Sequence, residues 1–397
     1  MLELVFELTP TPPANEFVRE SKIGETQHCF PLDVYQCLHC GHVQLLTAIQ
    51  PETLFREYVY VSGTSPVFVN HFRSYAESII QDYGILEDSL IVEIGSNDGT
   101  LLSFFKEKGM RVLGIDPATI IAERTASIGI ETIAHFFDEQ LGREIHQERG
   151  PASVIPANNV FAHVDDLIGF VSGIRELLAD DGIFVFEVSY LLDVYEKTLF
   201  DMTYHEHLSY HSVTPLKSFF QSQGLQLIHV ERVDTHGGSL RGIVQKAGGF
   251  RETNDSIRKL VDLELKLGLN KPGTWVKFKE RVDKKGQELM ELLKLLKKKK
   301  KNISGYGAPA KSTTLMYQYG IDSDTIDYIV DDSPWKQTLF SPGLHIPLVS
   351  SSMLKRRPPD YLLILAWNFA ESIMDNLKGF AEAGGKFIVP LPDLHVI

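Results

Sequence analysis

From Leu90 onward, short apolar runs alternate with amphipathic segments: apolar at 90–95, amphipathic at 101–109, apolar at 111–116, helical near 118–128, apolar at 131–134. The apolar runs are too short for helices and end in glycine, acid or alanine, so they read as strands. The series continues with a strand at 152–158, a helix at 165–182, a strand at 182–188, and late strands at 225–233 and 240–246. Such alternation predicts a parallel sheet covered by helices on both faces. Residues 1–85 read differently, because Pro10, Pro12, Pro13 and Pro31 interrupt any long regular element. A small irregular region followed by a helix is expected there.

Segment 251–301 is charged and helical and ends in a lysine run at 297–301, which reads as a solvated helix end. A second alternating series follows at 302–320, 326–332, 360–368, 370–383 and 386–391. The expected architecture is therefore α/β throughout, with two sheet-and-helix units joined by helices. The expected divisions are a lobe at 1–60, a first unit at 61–250, and linker plus second unit at 251–397.

Charge narrows the partners. The 397 residues carry 39 basic and 52 acidic side chains, a formal net charge of −13, which repels a phosphate backbone and argues against nucleic acid. The first residues are acidic where a secretory leader is basic, and no apolar stretch approaches membrane-spanning length. A cytoplasmic protein without a membrane partner is expected, monomeric or weakly self-associating. Three cysteines, Cys29, Cys37 and Cys40, are too few for a disulfide framework.

The turn Glu93-Ile94-Gly95-Ser96-Asn97-Asp98-Gly99 joins a strand to a helix, with small residues where a ligand must approach closely. Asp116 ends the next strand, where its carboxylate can accept ribose hydroxyls. The dinucleotide fingerprint is absent, and the acids around the turn suit the cationic methionine moiety of S-adenosylmethionine better than a pyrophosphate. Asn158 and Asn159, at the end of the fourth strand, face the same crevice. His163, just beyond, reads equally well as a site residue or a helix-start histidine.

The run Tyr204-His205-Glu206-His207-Leu208-Ser209-Tyr210-His211 follows the fifth strand. Imidazoles and phenols concentrated beyond a strand end are what proton abstraction beside a carbonyl requires. A metal reading lacks the helical H-E-x-x-H spacing, and a purely structural aromatic turn is the remaining alternative. Near the second unit, the turn Gly305-Tyr306-Gly307-Ala308-Pro309-Ala310-Lys311 offers N–H groups and a lysine to a phosphate, or else serves only to turn the chain.

Together with Cys37–Leu45, Tyr58–Ser65 and His236–Arg241, these stretches make the chain resemble the 3-C-methyltransferases of nucleotide-linked 4-keto deoxysugars. The resemblance implies a zinc-binding N-terminal lobe, a class I methyltransferase domain with a Rossmann-like sheet, and a C-terminal Rossmann-like α/β domain that helps to enclose the substrate. It implies S-adenosylmethionine as cofactor, held by Glu93, Gly95, Asn97, Asp98, Gly99, Asp116, Asn158 and Asn159. The substrate implied is a dTDP- or other NDP-4-keto-6-deoxyhexose. His207 is implied as the base, with Tyr60, His163, Tyr204 and Glu206 as neighbours, and Tyr58, Ser62, Tyr210, His236, Arg241, Tyr306 and Lys311 as substrate contacts. Family members carry an earlier Cys-x-x-Cys pair for which this sequence has no counterpart, and Cys37 and Cys40 alone cannot close a four-ligand zinc site. Replacement by Cys29, His28, His39 or His42 is one reading; loss of zinc is the expectation.

Overall fold

The computed structural model describes residues 1–55, 66–235 and 237–397. Strands Leu2–Thr11 (β1), Phe30–Cys37 (β2) and Val43–Leu45 (β3) form an antiparallel sheet where irregular structure was expected. That expectation rested on proline, which cannot donate to a ladder. Pro10 and Pro31 fall where the β1–β2 register shifts, between the Leu8–Leu32 and Thr11–Phe30 pairs, so no regular ladder bond is asked of them. Phe6, Leu8, Leu32 and Val34 bury one face of this sheet.

The second sheet contains Leu90–Ile94 (β4), Arg111–Ile115 (β5), Thr132–Ile133 (β6), Ala152–Asn158 (β7) and Leu178–Ser189 (β8). The short strand Ser209–Tyr210 (β9) follows, then Leu225–Val233 (β10) and Ser239–Lys246 (β11). Its strand order is β10-β11-β8-β7-β4-β5-β6, parallel except for β11, which runs antiparallel to both neighbours. A parallel sheet with one reversed strand inserted beside its last member is the class I methyltransferase arrangement. β4 is buried along its whole length, as a strand covered by helices on both faces must be. Strand order reverses between β4 and β7, and ligands bind outside the carboxyl ends at such a point.

β9 does not join this sheet. It pairs with β3 instead, Ser209 opposite Gln44 and Tyr210 opposite Val43, so the segment after β8 completes the N-terminal sheet. The C-terminal sheet comprises Ile303–Tyr306 (β12), Ile329–Val330 (β13), Leu348–Val349 (β14), Tyr361–Ile364 (β15), Lys386–Val389 (β16) and His395–Val396 (β17). Its order, β14-β13-β12-β15-β16-β17, gives a second reversal point between β12 and β15. No helix among the described residues is long and apolar enough to cross a membrane.

Helices Ser256–Leu267 and Pro272–Lys298 tie the units together. Trp275 and Phe278 are fully buried, with ring centroids 6.0 and 5.2 Å from Phe6 of β1, and Tyr195 packs on Trp275 at 5.9 Å. Glu264 performs a capping role at a distance. Helix Val213–Ser222 receives no cap bond from the side chain of Ser212; the Glu264 carboxylate accepts from Val213 N–H at 2.7 Å, from Thr214 N–H at 2.8 Å and from the Tyr190 hydroxyl at 2.7 Å. Removing it strands buried donors that each cost about 1–3 kcal/mol. Glu264→Ala should therefore lower the melting temperature by about 5–10 °C in differential scanning calorimetry, with Glu264→Gln intermediate; an unchanged transition would show that the cap is dispensable.

Candidate active site

At the first reversal point, Gly95 adopts φ +70° and an added Cβ would lie 2.2 Å from the Val160 side chain, so the backbone passes where no larger residue fits. Asp116 fastens the turn: its Oδ2 accepts from Asn97 N–H at 3.0 Å and its Oδ1 from Ala118 N–H at 2.9 Å. Burial raises its pKa, and these two N–H bonds pull it back. Asp98 accepts from the Thr100 hydroxyl at 2.6 Å, and Gly99 at φ +74° opens the helix Thr100–Glu107. Asn159 adopts φ +56° and donates its N–H to the Glu187 carbonyl.

Glu93 is 4% exposed, and its Oε2 has no hydrogen-bond partner among the described residues. Burial first, and then the neighbouring Asp98 and Asp116, hold its pKa well above the usual carboxylate range. Neither side-chain atom of Asn158 has a partner there either. Buried polar groups are nearly always paired in folded proteins, so this edge carries unmet hydrogen-bonding capacity. The chemistry of these residues fits a zwitterionic, cationic cofactor, whose positive charge would favour ionised Glu93.

The base expected at His207 stands in a defined environment. Its Nδ1–H donates to the Met202 carbonyl at 2.9 Å, which assigns the tautomer and leaves Nε2 with the lone pair. The Tyr204 hydroxyl lies 2.7 Å from Nε2 and donates to it. Burial lowers the His207 pKa to about 4, against the opposing pull of the Met202 bond, so the ring is neutral at physiological pH. His163 stacks on His207 with centroids 5.2 Å apart and on Phe55 at 5.4 Å; burial first, and then the proximity of a second imidazole at His207, keep its pKa well below the ordinary histidine value.

Two other parts of the chain hold this loop. From the N-terminal lobe, Asn15 Nδ2 donates to Glu206 Oε1 at 2.6 Å and the Phe30 carbonyl bonds His205 Nε2 at 3.2 Å. From the C-terminal unit, the Thr314 hydroxyl donates to the Thr203 carbonyl at 2.7 Å and Trp367 Nε1–H to Asp201 Oδ2 at 2.6 Å. His205 thus faces the N-terminal lobe while His207 faces Tyr204, and the two imidazoles do not converge as metal ligands would. Among the described residues no group of three or more His, Cys, Asp or Glu is placed to hold a metal. Backbone N–H groups of Cys40 and His39 lower the Cys37 pKa, and Cys37 and Cys40 place two free thiols at one turn.

Several expected substrate contacts are engaged within the fold. Arg241 is engaged by Glu187 (Nε to Oε1, 2.6 Å) and Glu231 (2.8 Å) beneath the helix Pro66–Tyr83, so its charge is already paired. Lys311 is buried; its ammonium donates to Asn368 Oδ1 at 2.5 Å, stands 3.8 Å from the Trp367 ring centroid, and faces Asp201. Burial lowers Lys311 to about 8 and raises Asp201 to about 6, and Lys311 is held between Asn368, the Trp367 ring and Asp201. Tyr306 donates to Asp332 Oδ2 at 2.8 Å, and Tyr210 is buried in β9. Tyr58, Tyr60, Ser62 and His236 lie outside the described residues. Residues unforeseen from sequence are Asn15, whose proline-rich segment gave no sign of reaching Glu206, and Asp201, which reads as an ordinary surface acid.

Comparison with known proteins agrees with this layout. Residues 1–55 match a putative zinc binding domain, 69–230 a methyltransferase domain, and 234–392 a C-methyltransferase C-terminal domain. The C-methyltransferase NovU of Streptomyces niveus is 34% identical over 387 residues, covering 98% of this chain and 92% of its own. This chain belongs to that C-methyltransferase family. It is an S-adenosylmethionine-dependent methyltransferase, as expected. Solved structures resemble it weakly: magnesium protoporphyrin IX methyltransferase of Synechocystis with S-adenosylmethionine bound, at TM-score 0.34 and 12% identity, covers 45% of this chain and 82% of its own. The YcgJ protein of Bacillus subtilis, at 0.35 and 13%, covers 45% and 100%. Those scores add nothing to the strand order, which carries the fold assignment.

Asp116 gives the methyltransferase a measurable signature. On the expectation that Asp116 accepts from the ribose, Asp116→Ala removes that acceptor and the fastening of the turn together, a loss of about 1.5–3 kcal/mol, so titration calorimetry should show S-adenosylhomocysteine binding weakened by roughly tenfold to a hundredfold. Unaltered affinity would take Asp116 out of the cofactor site.

Proposed function

We propose that this C-methyltransferase acts at C3 of a nucleotide-linked 4-keto-6-deoxysugar, through an enolate. The observation that carries this reading is the neutral, tautomer-fixed imidazole of His207, with Nε2 as its only lone pair and a phenol at hand. A hydrogen on carbon beside a ketone needs a base, and the charge left on the ketone oxygen needs a donor. As the Tyr204 hydroxyl turns from Nε2 to the ketone oxygen, His207 Nε2 is freed to take the C3 proton. The electron pair of the broken C–H bond moves into the enolate, whose oxygen receives a hydrogen bond from Tyr204.

A pKa near 4 would make a free imidazole a feeble base, but here the cation it becomes is offset by the enolate forming beside it. His163 stacked behind the ring fixes its plane, and Glu206, oriented by Asn15, accepts from a sugar hydroxyl. When bound, S-adenosylmethionine supplies the electrophile, a sulfonium methyl that the enolate carbon takes as the thioether departs. The name of the relative, a C-methyltransferase, supports methylation at carbon over oxygen.

His207→Asn should lower kcat by about 10³ or more, as loss of a general base does, with cofactor affinity nearly unchanged. Offered candidate dTDP-4-keto sugars in D2O without methyl donor, wild type should exchange the C3 proton and the variant should not, by NMR. Exchange by the variant at the wild-type rate would remove His207 as base and turn attention to His163 or Tyr204. A product methylated on oxygen would refute the enolate route.

A further inference from the structure

A row of polar side chains crosses the carboxyl edge of the central sheet on the face covered by the helix Pro66–Tyr83. It runs from Glu93 on β4 through Asn158 on β7 and Glu187 on β8 to Arg241 on β11. Asn158 and Glu187 are register partners, as are Glu187 and Arg241. Strand alternation sets these residues beside Ile91, Val154, Val185 and Ile243, which pack in one cluster with Phe72 and Tyr75 of the covering helix. The helix adds two polar groups: His71 Nε2 lies 2.8 Å from Glu187 Oε2, and the Tyr75 ring lies under the Arg241 guanidinium at 4.5 Å.

One end of this row is saturated and the other is not. Glu187 is bonded on both oxygens by His71 and Arg241, and Arg241 also reaches Glu231. Tyr75 is fully buried with its hydroxyl near Glu93, Glu187 and Asn158, the last within its electrostatic reach, yet it makes no hydrogen bond of ordinary length among the described residues. Its unmatched neighbours are Glu93 Oε2 and both polar atoms of Asn158. The unmet groups thus include two kinds of donor, the Tyr75 O–H and the Asn158 amide N–H, and two acceptors, Asn158 Oδ1 and Glu93 Oε2. That set complements an α-amino-acid zwitterion, whose carboxylate accepts and whose ammonium donates.

We propose that Tyr75 reads the amino-acid end of S-adenosylmethionine, donating to its α-carboxylate opposite Glu93 and Asn158, and that His71, Glu187 and Arg241 form the brace holding Tyr75 in place. Arg241 in this account is a positioning residue for the cofactor and not a substrate contact. The inference rests on the cofactor assignment and is independent of the sugar.

The test compares two ligands that differ only at that end: S-adenosylhomocysteine and 5′-methylthioadenosine, which lacks the amino-acid portion. Tyr75→Phe should weaken S-adenosylhomocysteine by about 10–50-fold in titration calorimetry, the scale of a hydrogen bond to a charged group, and leave 5′-methylthioadenosine within about twofold. The ligand-free melting temperature should hold or rise, since an unpaired buried hydroxyl is removed. Asn158→Ala, a second variant that leaves the helix untouched, should show the same ligand-selective loss. Equal weakening of both ligands, or undiminished S-adenosylhomocysteine binding in Tyr75→Phe, overturns the proposal. Wild type binding neither ligand would instead refute the cofactor assignment.

Discussion

The bond from His207 Nδ1–H to the Met202 carbonyl is the constraint around which the site is arranged. It fixes the tautomer, leaves Nε2 as acceptor, and works only if the chain from Asp201 to Tyr210 keeps one shape. That segment has little regular structure of its own, only a two-residue strand and a single 3₁₀ turn. Its shape is imposed from outside: β9 is added to the N-terminal sheet, Asn15 and Phe30 bond it from one side, and Thr314 and Trp367 hold it from the other. The N-terminal lobe and the C-terminal unit therefore converge on a loop that has little order of its own. The same enclosure excludes water and keeps the imidazole neutral.

The two sheet units solve the same local problem in the same way. In the first, Gly95 donates to the Ile115 carbonyl, and Asp116 accepts from the turn at Asn97 and from the residue two further on at Ala118. In the second, Gly307 donates to the Val330 carbonyl, and Asp331 accepts from Ala308 at 2.8 Å and from Ser333 at 2.9 Å. Each acid ends the strand next to a glycine turn and ties that turn to its neighbour. They differ in what remains open. Glu93 and Asn158 keep unmet capacity at the first turn, whereas Lys336 lies 4.0 Å from Asp331 at the second and donates to the Ala308 carbonyl.

The two α/β units were legible because buried parallel strands read as short apolar runs closed by glycine or acid, as 90–95 and 152–158 do. Glu93, Asp116 and His207 drew notice through spacing and resemblance, and the structure buries all three. The N-terminal sheet was hidden because Pro10 and Pro31 fit only at a register shift, and a shift is set by pairing that a single strand does not reveal. The pairing of Arg241 was hidden for a related reason: its partner Glu187 lies across an antiparallel pairing of β8 with β11, far away in sequence. Lys311 looked like an open point charge because nothing local announces the ring of Trp367 or the acid of Asp201 against it.

The central claim is that His207 is neutral, with its proton on Nδ1, because the surrounding loop is closed. Long-range ¹⁵N–¹H NMR of histidine-labelled protein, with His207→Asn to assign the resonance, reads both the tautomer and the titration. The account predicts a pyrrole-type Nδ1, a pyridine-type Nε2, and no protonation until the pH falls toward about 4. A ring carrying its proton on Nε2, or titrating near its ordinary value of about 6.5, would contradict it.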